Sequence, residues 1–231
     1  MLFMTVPTAG TRPTLLTNLI RECGLPLENI VIVATRPEVE VPTGVRLVED
    51  LGAPNIQRWW NRGIDEAQNR GATAVAVVND DITLTPQTLP SLHHELIRTG
   101  AAIASPIRQE FGVGLHKRPL IPYEPRLWGS LWMLRLDSGL RPDENYVWWY
   151  GDNDLDIRAR KSFGGVVSVD VEYSHHHPGE GTAANPELQA QSDRDGQHFE
   201  SQYARLLRVS RFVRRLEART LWLNRGSDAA Q

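Results

Sequence analysis

The feature that most constrains the fold is an apolar run that stops at two carboxylates. Residues 75–78 are all apolar, and Asn79, Asp80 and Asp81 follow at once. Branched valines suit the pleated surface of a strand, and an apolar run without alternation indicates a strand that is covered on both faces. The run therefore predicts a central strand of a largely parallel sheet.

Strand-like and helix-like segments alternate along the first 107 residues. Strands are predicted at residues 2–6, 30–34, 45–48, 73–78 and 101–107. Helices are predicted from Pro13, over residues 56–69 and over residues 87–98. Alternation of this kind predicts an α/β fold with helices on both faces of the sheet and right-handed crossovers.

The second half of the chain is less regular. Residues 108–126 are rich in Gly, Pro and Arg and are predicted to form a loop. Strands are expected at 129–136 and 166–171, and a helix capped by Asp152 or Asn153 is expected to end near residue 162. The segment from residue 186 onward has a helical pattern.

Bulk properties exclude several classes of function. The net charge of −3 gives no reason to expect a nucleic-acid partner. The single cysteine, Cys23, excludes a disulfide within the chain and indicates a reducing compartment. No apolar run has the length of a membrane span, and the first residues lack the basic start of a signal peptide. We therefore predict a cytoplasmic protein.

Three polar groups lie where the pattern places a strand end or a helix start. Asp80 and Asp81 offer hard oxygen ligands for Mg²⁺ or Mn²⁺ shared with a diphosphate, although Asn and Asp also favour plain turns. Asp152 can act as a general base, or it can only cap its helix. The histidines at 175–177 can bind a metal or form a solvated loop.

Aromatic residues precede Asp152 directly. Trp148, Trp149 and Tyr150 are equally compatible with a place in the core and with a flat platform for a sugar ring or a base.

Glycine, arginine, acidic and aromatic residues follow one another in a fixed order before an acid-rich helix start. They lie in residues 129–158, GSLWMLRLDSGLRPDENYVWWYGDNDLDIR. This order and spacing resemble the family-2 glycosyltransferases. Residues 61–64, residues 78–81 and the segment from Val171 to Gly179 are similar to further segments of that family. The resemblance covers residues 2–182 in the right order.

The resemblance implies a GT-A fold, a Rossmann-like α/β sandwich with a mostly parallel central sheet, here with a C-terminal helical extension. It implies inverting transfer from a nucleotide-diphosphate sugar, with Mn²⁺ or Mg²⁺ as the cofactor. Asp152 would be the base. Asp81 would bind the metal with one of the three histidines, and the spacing leaves both His176 and His177 open.

The same resemblance assigns further residues to the donor and acceptor sites. On the donor side these are Pro7, Thr8, Glu38, Asn61, Asn79 and Asp80. On the acceptor side they are Trp128, Gly129, Trp149 and Asp154. The expected domain is residues 1–185, divided into a nucleotide-binding half (1–107) and an acceptor and catalytic half (108–185), and residues 186–231 form the extension.

The chain departs from the family pattern at three places. Gly151 stands where the family has an acid before the base, and Asn79 stands at the first position of the metal-binding motif. No residue matches closely the acid that contacts the nucleotide base, and Glu38 lies nearest. The donor sugar and base therefore stay open.

Two other functions compete with sugar transfer. Residues 8–13, TAGTRP, are similar to the loop of sugar-nucleotide nucleotidyltransferases, but the doubled glycine and the lysine of that loop are missing. A non-catalytic relative that binds sugars or a partner is the second alternative, because the acid at 151 is absent.

The C-terminal segment has a pattern that indicates possible binding partners. Leu206, Val209, Val213 and Leu216 fall on one helical face, and six arginines surround it. Such a helix can contact an anionic membrane peripherally, or it can pack on the domain or on a second subunit in a homo-oligomer. The acceptor, which can be a glycan, a protein or a lipid-linked sugar, is not determined by the sequence.

Overall fold

The computed structural model describes residues 1–107, 112–119, 121–177 and 185–228, with side chains as far as residue 218. Ten strands lie in this part of the chain: β1 (Leu2–Thr8), β2 (Ile30–Ala34), β3 (Arg46–Glu49), β4 (Ala74–Val78), β5 (Ile82–Leu84), β6 (Ile103–Pro106), β7 (Gly114–His116), β8 (Leu131–Arg135), β9 (Val166–Val169) and β10 (Tyr173–His175). The helices are α1 (Pro13–Glu22), α2 (Ile56–Asn69), α3 (Thr88–Thr99), α4 (Gly151–Ser162), α5 (Pro186–Gln202) and α6 (Ala204–Asp228).

Eight strands form one sheet in the order β3-β2-β1-β4-β8-β6-β9-β7. All neighbours pair in parallel except at β8, which is antiparallel to β4 and β6, and at β7, which is antiparallel to β9. The mostly parallel sheet expected from the sequence is confirmed. The reversed strand β8 sits inside the sheet, next to the central strand β4.

Helices cover both faces of this sheet. Apolar side chains of α1 and α3 pack on one face, and those of α2 and α4 pack on the other. The apolar run of β4 divides between the faces, since Ala76 and Val78 join the first cluster while Val75 and Val77 join the second. All four side chains are fully buried, which is why the run has no polar position.

Three features differ from the sequence-based expectation. Strand β7 lies within residues 108–126, which are predicted to form a loop, and it pairs with β9 at the edge of the sheet. The short strands β5 and β10 form a separate antiparallel pair. Each strand has only three residues, which is too short for a sequence pattern to predict. Asp152 was expected as a possible helix cap, and this is wrong. Helix α4 begins at Gly151 after Tyr150, whose φ is 64°, so Asp152 lies inside the first turn.

The C-terminal helices pack on the remainder of the chain through a third apolar cluster. Phe199 and Tyr203 of this segment contact Tyr123, Tyr146 and Ile157. The boundary expected at residue 185 stays a prediction. Within the described residues, no helix combines the length and the apolar character that a bilayer crossing needs.

Close packing between α2 and β1 depends on a residue without a side chain. A Cβ atom added at Gly63 would overlap the buried Thr5 hydroxyl and lie 2.7 Å from its Cβ. We expect Gly63→Ala to lower the free energy of unfolding by about 1–3 kcal/mol, despite the better helix propensity of alanine, because the core is overpacked. Urea unfolding measures this change.

Arg62→Ala is the matched control, since Arg62 is exposed on the same helix. It should change stability by less than about 0.5 kcal/mol. A Gly63→Ala variant as stable as the unsubstituted protein would show that the α2 and β1 contact is not tight.

Candidate functional site

Two neighbouring parallel strands end in polar side chains that meet. The hydroxyl of Thr8, at the end of β1, donates a 2.6 Å hydrogen bond to Oδ2 of Asp80, which follows β4. Thr8 Oγ1 also accepts a hydrogen bond from the backbone N–H of Gly10 at 3.0 Å. Thr8 is only 3% exposed, so its main effect is to fix the orientation of Asp80.

The pairing of β5 with β10 brings a histidine to Asp81. In this pair His175 lies opposite Ile82, and the backbone N–H of His176 donates to the carbonyl oxygen of Asp81 at 3.1 Å. As a result, Nε2 of His175 lies 3.4 Å from Oδ1 of Asp81. Of the three consecutive histidines, the structure places the side chain of His175 at this carboxylate.

His176 and His177, which the spacing favoured, are placed differently. Nε2 of His176 lies 2.8 Å from the hydroxyl oxygen of Thr83. The ring of His177 is 6.4 Å from that of His176. The side chain of His176 is thus engaged on β5, beyond the aspartates.

An arginine from the loop before α1 faces both aspartates. Nη1 of Arg12 lies 3.5 Å from Oδ1 of Asp80 and 3.6 Å from Oδ2 of Asp81. It directly precedes Pro13, the first residue of α1. The guanidinium group balances part of the negative charge at the strand end.

The two carboxylates have different electrostatic surroundings. Burial raises the pKa of Asp80 above its usual value, and the nearby charge of Asp81 acts in the same direction. Burial also acts to raise the pKa of Asp81, but the interaction with His175 and the charge of Arg12 outweigh it and lower the pKa. Asp81 is therefore the more firmly ionised of the pair.

These residues fit a divalent metal that is shared with a substrate. Oδ1 of Asp81 is buried and has no hydrogen-bond partner, and the imidazole of His175 lies beside it. Among the described residues, no group of three or more His, Cys, Asp or Glu side chains could hold an ion alone. Two protein ligands suit an ion that takes its remaining ligands from phosphate oxygens and water.

Asp152 lies at the same edge of the sheet as the aspartate pair. Its Oδ2 accepts a 3.2 Å hydrogen bond from the N–H of Gly129, and its Oδ1 accepts one from the N–H of Asn153 at 2.9 Å. Gly129 and Ser130 precede β8, and the N–H of Asn79 donates to the carbonyl oxygen of Ser130 at 2.9 Å. Asp152 is thus joined through this short segment to the end of β4.

The missing acid at position 151 has a steric explanation. A Cβ atom at Gly151 would overlap the carboxamide of Gln57, which comes from the first turn of α2 and is 1% exposed. An acidic side chain could not be accommodated at 151 while Gln57 keeps this position. The departure from the family pattern is therefore built into the packing of α2 against α4.

The three aromatic residues before Asp152 have different surroundings. Trp148 packs edge-on against Trp59, with ring centroids 6.0 Å apart, and belongs to the core periphery. Trp149 is 43% exposed. The stacked pair of Tyr150 and Phe199, with centroids 5.3 Å apart, anchors the end of this segment to α5.

A buried aspartate of α5 fixes the backbone of the aromatic segment. Asp195, 1% exposed, accepts hydrogen bonds from the N–H groups of Val147 (3.3 Å), Trp148 (2.7 Å) and Trp149 (2.9 Å). Gln191 donates to the same carboxylate at 2.7 Å. No sequence pattern indicates this role, since Asp195 is one of several polar residues on a helix.

Several other predicted site residues have partners in the protein. Asn61 donates to the carbonyl oxygen of Pro142 at 3.1 Å and to Glu144 at 2.8 Å. Glu38 is exposed in the loop after β2, and Pro7 is buried in β1. These three residues do not contact the aspartate pair through any hydrogen bond or ion pair described for this part of the chain.

On the predicted acceptor side, Trp128 is half-buried, and its N–H donates to Ser105 at 3.2 Å. Asp154 is fully buried and binds Arg158 at 2.7 Å and the hydroxyl of Tyr203 at 2.6 Å. The structure therefore corrects the expectation for Asp154, because this carboxylate attaches α4 to the C-terminal helices and has no surface open to an acceptor.

Comparisons with known proteins show a likeness in fold. No protein-family model and no curated protein matches the chain. S. aureus TarS 1-349 has a TM-score of 0.55 at 11% identity, covering 82% of this chain and 64% of that one. Its complexes with UDP and with UDP-GlcNAc give TM-scores of 0.54 and 0.50 at 13% and 12% identity, covering 83% and 82% of this chain and 65% and 66% of those.

The chain thus spans about 64% of the TarS segment that it matches. At this level of identity the likeness establishes the fold alone. The GT-A type of α/β fold that the sequence resemblance implies is confirmed.

We expect Asp195→Ala to release the segment at residues 147–149. Three backbone N–H groups would lose their acceptor, and the free energy of unfolding should fall by about 3 kcal/mol or more. Amide hydrogen exchange at Trp148 and Trp149 should accelerate. Asp193→Ala removes the same charge from an exposed position on the same helix, and it should leave both measurements unchanged. Equal exchange in the two variants would contradict the anchoring role.

Proposed function

We propose that this protein is an inverting glycosyltransferase that moves a sugar from a nucleotide-diphosphate sugar to an acceptor hydroxyl. The observation that supports this most is the shared edge of the sheet. Asp80 and Asp81 follow β4, His175 at the end of β10 lies beside Asp81, and Asp152 is joined to the same edge through Gly129. A site for a metal and a diphosphate is thereby combined with a carboxylate suited to proton transfer.

The donor is proposed to bind at the end of β1 and β4. Thr8 and Asn79 lie at this edge, and Arg12 offers a cation for the diphosphate. Pro7, Glu38 and Asn61 stay predictions for the donor side. Since TarS has been solved with UDP and with UDP-GlcNAc, a uridine donor is the first to test.

Asp81 and His175 are proposed to hold a divalent ion. A carboxylate and an imidazole together suit Mn²⁺ better than Mg²⁺, which prefers oxygen ligands alone. When bound, the ion would neutralise charge on the departing diphosphate. Arg12 lies within 3.6 Å of both aspartates, so it stabilises the carboxylates when no donor is present.

Asp152 is proposed as the general base. Its two hydrogen bonds from backbone N–H groups and its place in the first turn of α4 favour the ionised carboxylate. The carboxylate takes the proton of the acceptor hydroxyl, and the oxygen attacks the anomeric carbon from the face opposite the diphosphate. The bond to the diphosphate breaks, and the configuration of the sugar is inverted.

The acceptor is proposed to lie against Trp149, with Trp128 and Gly129 behind it. The exposed ring of Trp149 is held on a backbone that Asp195 fixes, so it offers a rigid flat surface to a sugar. The C-terminal helices support the catalytic half through the hydrogen bonds of Asp195 to this backbone. A cytoplasmic setting is proposed because the single cysteine, Cys23, is free and buried.

Asp152→Asn should lower the rate of sugar transfer by about 10²–10⁴-fold, because the amide cannot accept the proton. The affinity for the donor should change by less than about twofold, since Asp152 lies on the acceptor side of the site. Release of the nucleoside diphosphate measures the rate, and calorimetry measures donor binding.

Asp193→Asn is the control for the loss of one carboxylate. Wild-type activity in Asp152→Asn would contradict the assignment of the base. Release of pyrophosphate instead of a nucleoside diphosphate would favour a nucleotidyltransferase, and no turnover with any donor would favour a binding protein.

The metal assignment predicts a difference between two neighbouring histidines. The thermal stabilisation by UDP with Mn²⁺ should be lost in His175→Ala and retained in His176→Ala, because the side chain of His175 lies at the Asp81 carboxylate and that of His176 lies at Thr83. His94→Ala, an exposed histidine on α3, controls for non-specific effects. Loss in His176→Ala with retention in His175→Ala would instead support the ligand that the sequence spacing favoured.

A further inference from the structure

Helix α6 carries an apolar stripe on its outer face. Val209, Phe212 and Leu216 are 39%, 60% and 46% exposed. At 3.6 residues per turn these three positions fall within an arc of about 60°. The stripe is therefore a narrow, continuous apolar surface that runs along the helix.

The opposite face of α6 is packed against the domain, which fixes the direction of the stripe. Ser210 is 5% exposed, and its hydroxyl oxygen accepts a hydrogen bond from the N–H of Tyr123 at 2.8 Å. Arg214 donates to the carbonyl oxygen of the same tyrosine at 3.1 Å. Leu206 and Leu207 pack against the third apolar cluster. The stripe consequently points away from the protein.

Basic residues accompany the stripe. Arg205, Arg208 and Arg215 are exposed, and Arg208 and Arg215 lie along one side of the stripe at helical spacing. Glu217 is the only acid among residues 204–218, in a chain whose net charge is −3. Arg219 belongs to the same pattern, but its side chain lies outside the described part. The local charge is thus strongly positive.

We infer that this face of α6 binds the surface of an anionic lipid bilayer. Val209 and Phe212 enter the boundary between head groups and acyl chains, and Arg208 and Arg215 contact lipid phosphates beside them. Long arginine side chains reach the head groups while their methylene groups stay against the apolar layer. This surface role is independent of sugar transfer.

Charge argues against a second copy of the chain as the occupant. In an antiparallel twofold-symmetric contact, the stripe of one copy would face the stripe of the other, and the two arginine rows would lie on the same side of the contact. Such like charges repel, whereas an anionic bilayer attracts them. The arrangement of Arg208 and Arg215 therefore favours a lipid surface.

Vesicle flotation of the full chain tests this proposal. Vesicles of phosphatidylcholine alone are compared with vesicles that also contain phosphatidylglycerol. Binding is expected only with the anionic lipid, and it should weaken as salt is raised. The Val209→Gln/Phe212→Gln variant should lower the partition coefficient at least about tenfold. Arg208→Gln/Arg215→Gln should lower it about fivefold for each arginine.

Ile97→Gln is the matched control, because Ile97 is a 54% exposed apolar residue on α3. It should bind like the unsubstituted chain. Circular dichroism melts confirm that each variant is folded. Equal binding by the stripe variant, or no binding to anionic vesicles, overturns the proposal. So does a dimer in analytical ultracentrifugation that the stripe substitutions dissociate.

Vesicle binding needs no donor, no metal and no turnover. A failure here would leave sugar transfer untouched, and an inactive protein could still bind the vesicles.

Discussion

The candidate site depends on one reversed strand. Because β8 pairs antiparallel with β4, Leu131 lies opposite Val78, and the start of β8 meets the carboxyl end of β4. Gly129 and Ser130 thereby reach the edge where Asn79 and the aspartates lie, and Asp152 is bound to Gly129. A parallel strand at this place would begin at the other edge and would leave Asp152 without this connection.

Around that edge, each charged group is held by a neighbour from a different segment. Thr8 orients Asp80, and His175 adjoins Asp81. Arg12 lies between the two carboxylates and lowers the cost of keeping both of them partly buried. In the proposed reaction, the diphosphate of the donor would bring its own negative charge, and Arg12 would exchange a carboxylate for a phosphate without losing an ionic partner.

The C-terminal helices support this site and also form the outer surface of the molecule. Asp195 binds the backbone that presents Trp149, and Tyr203 binds Asp154 beneath α4. On the far side, α6 exposes Val209 and Phe212. The C-terminal helices therefore fix the backbone of residues 147–149, while the outer face of α6 is exposed.

The sequence by itself determined β4, since an unbroken run of apolar residues indicates a strand that is buried on both faces. It also placed Asp80, Asp81 and Asp152 at element ends. Only the tertiary structure decided which histidine meets Asp81, because that choice rests on the pairing of β5 with β10, whose residues are far apart in the chain. The roles of Asp195 and Gln57 were decided in the same way. A local pattern encodes burial and chain direction, but contacts between distant segments depend on register and packing, which no short stretch of sequence contains.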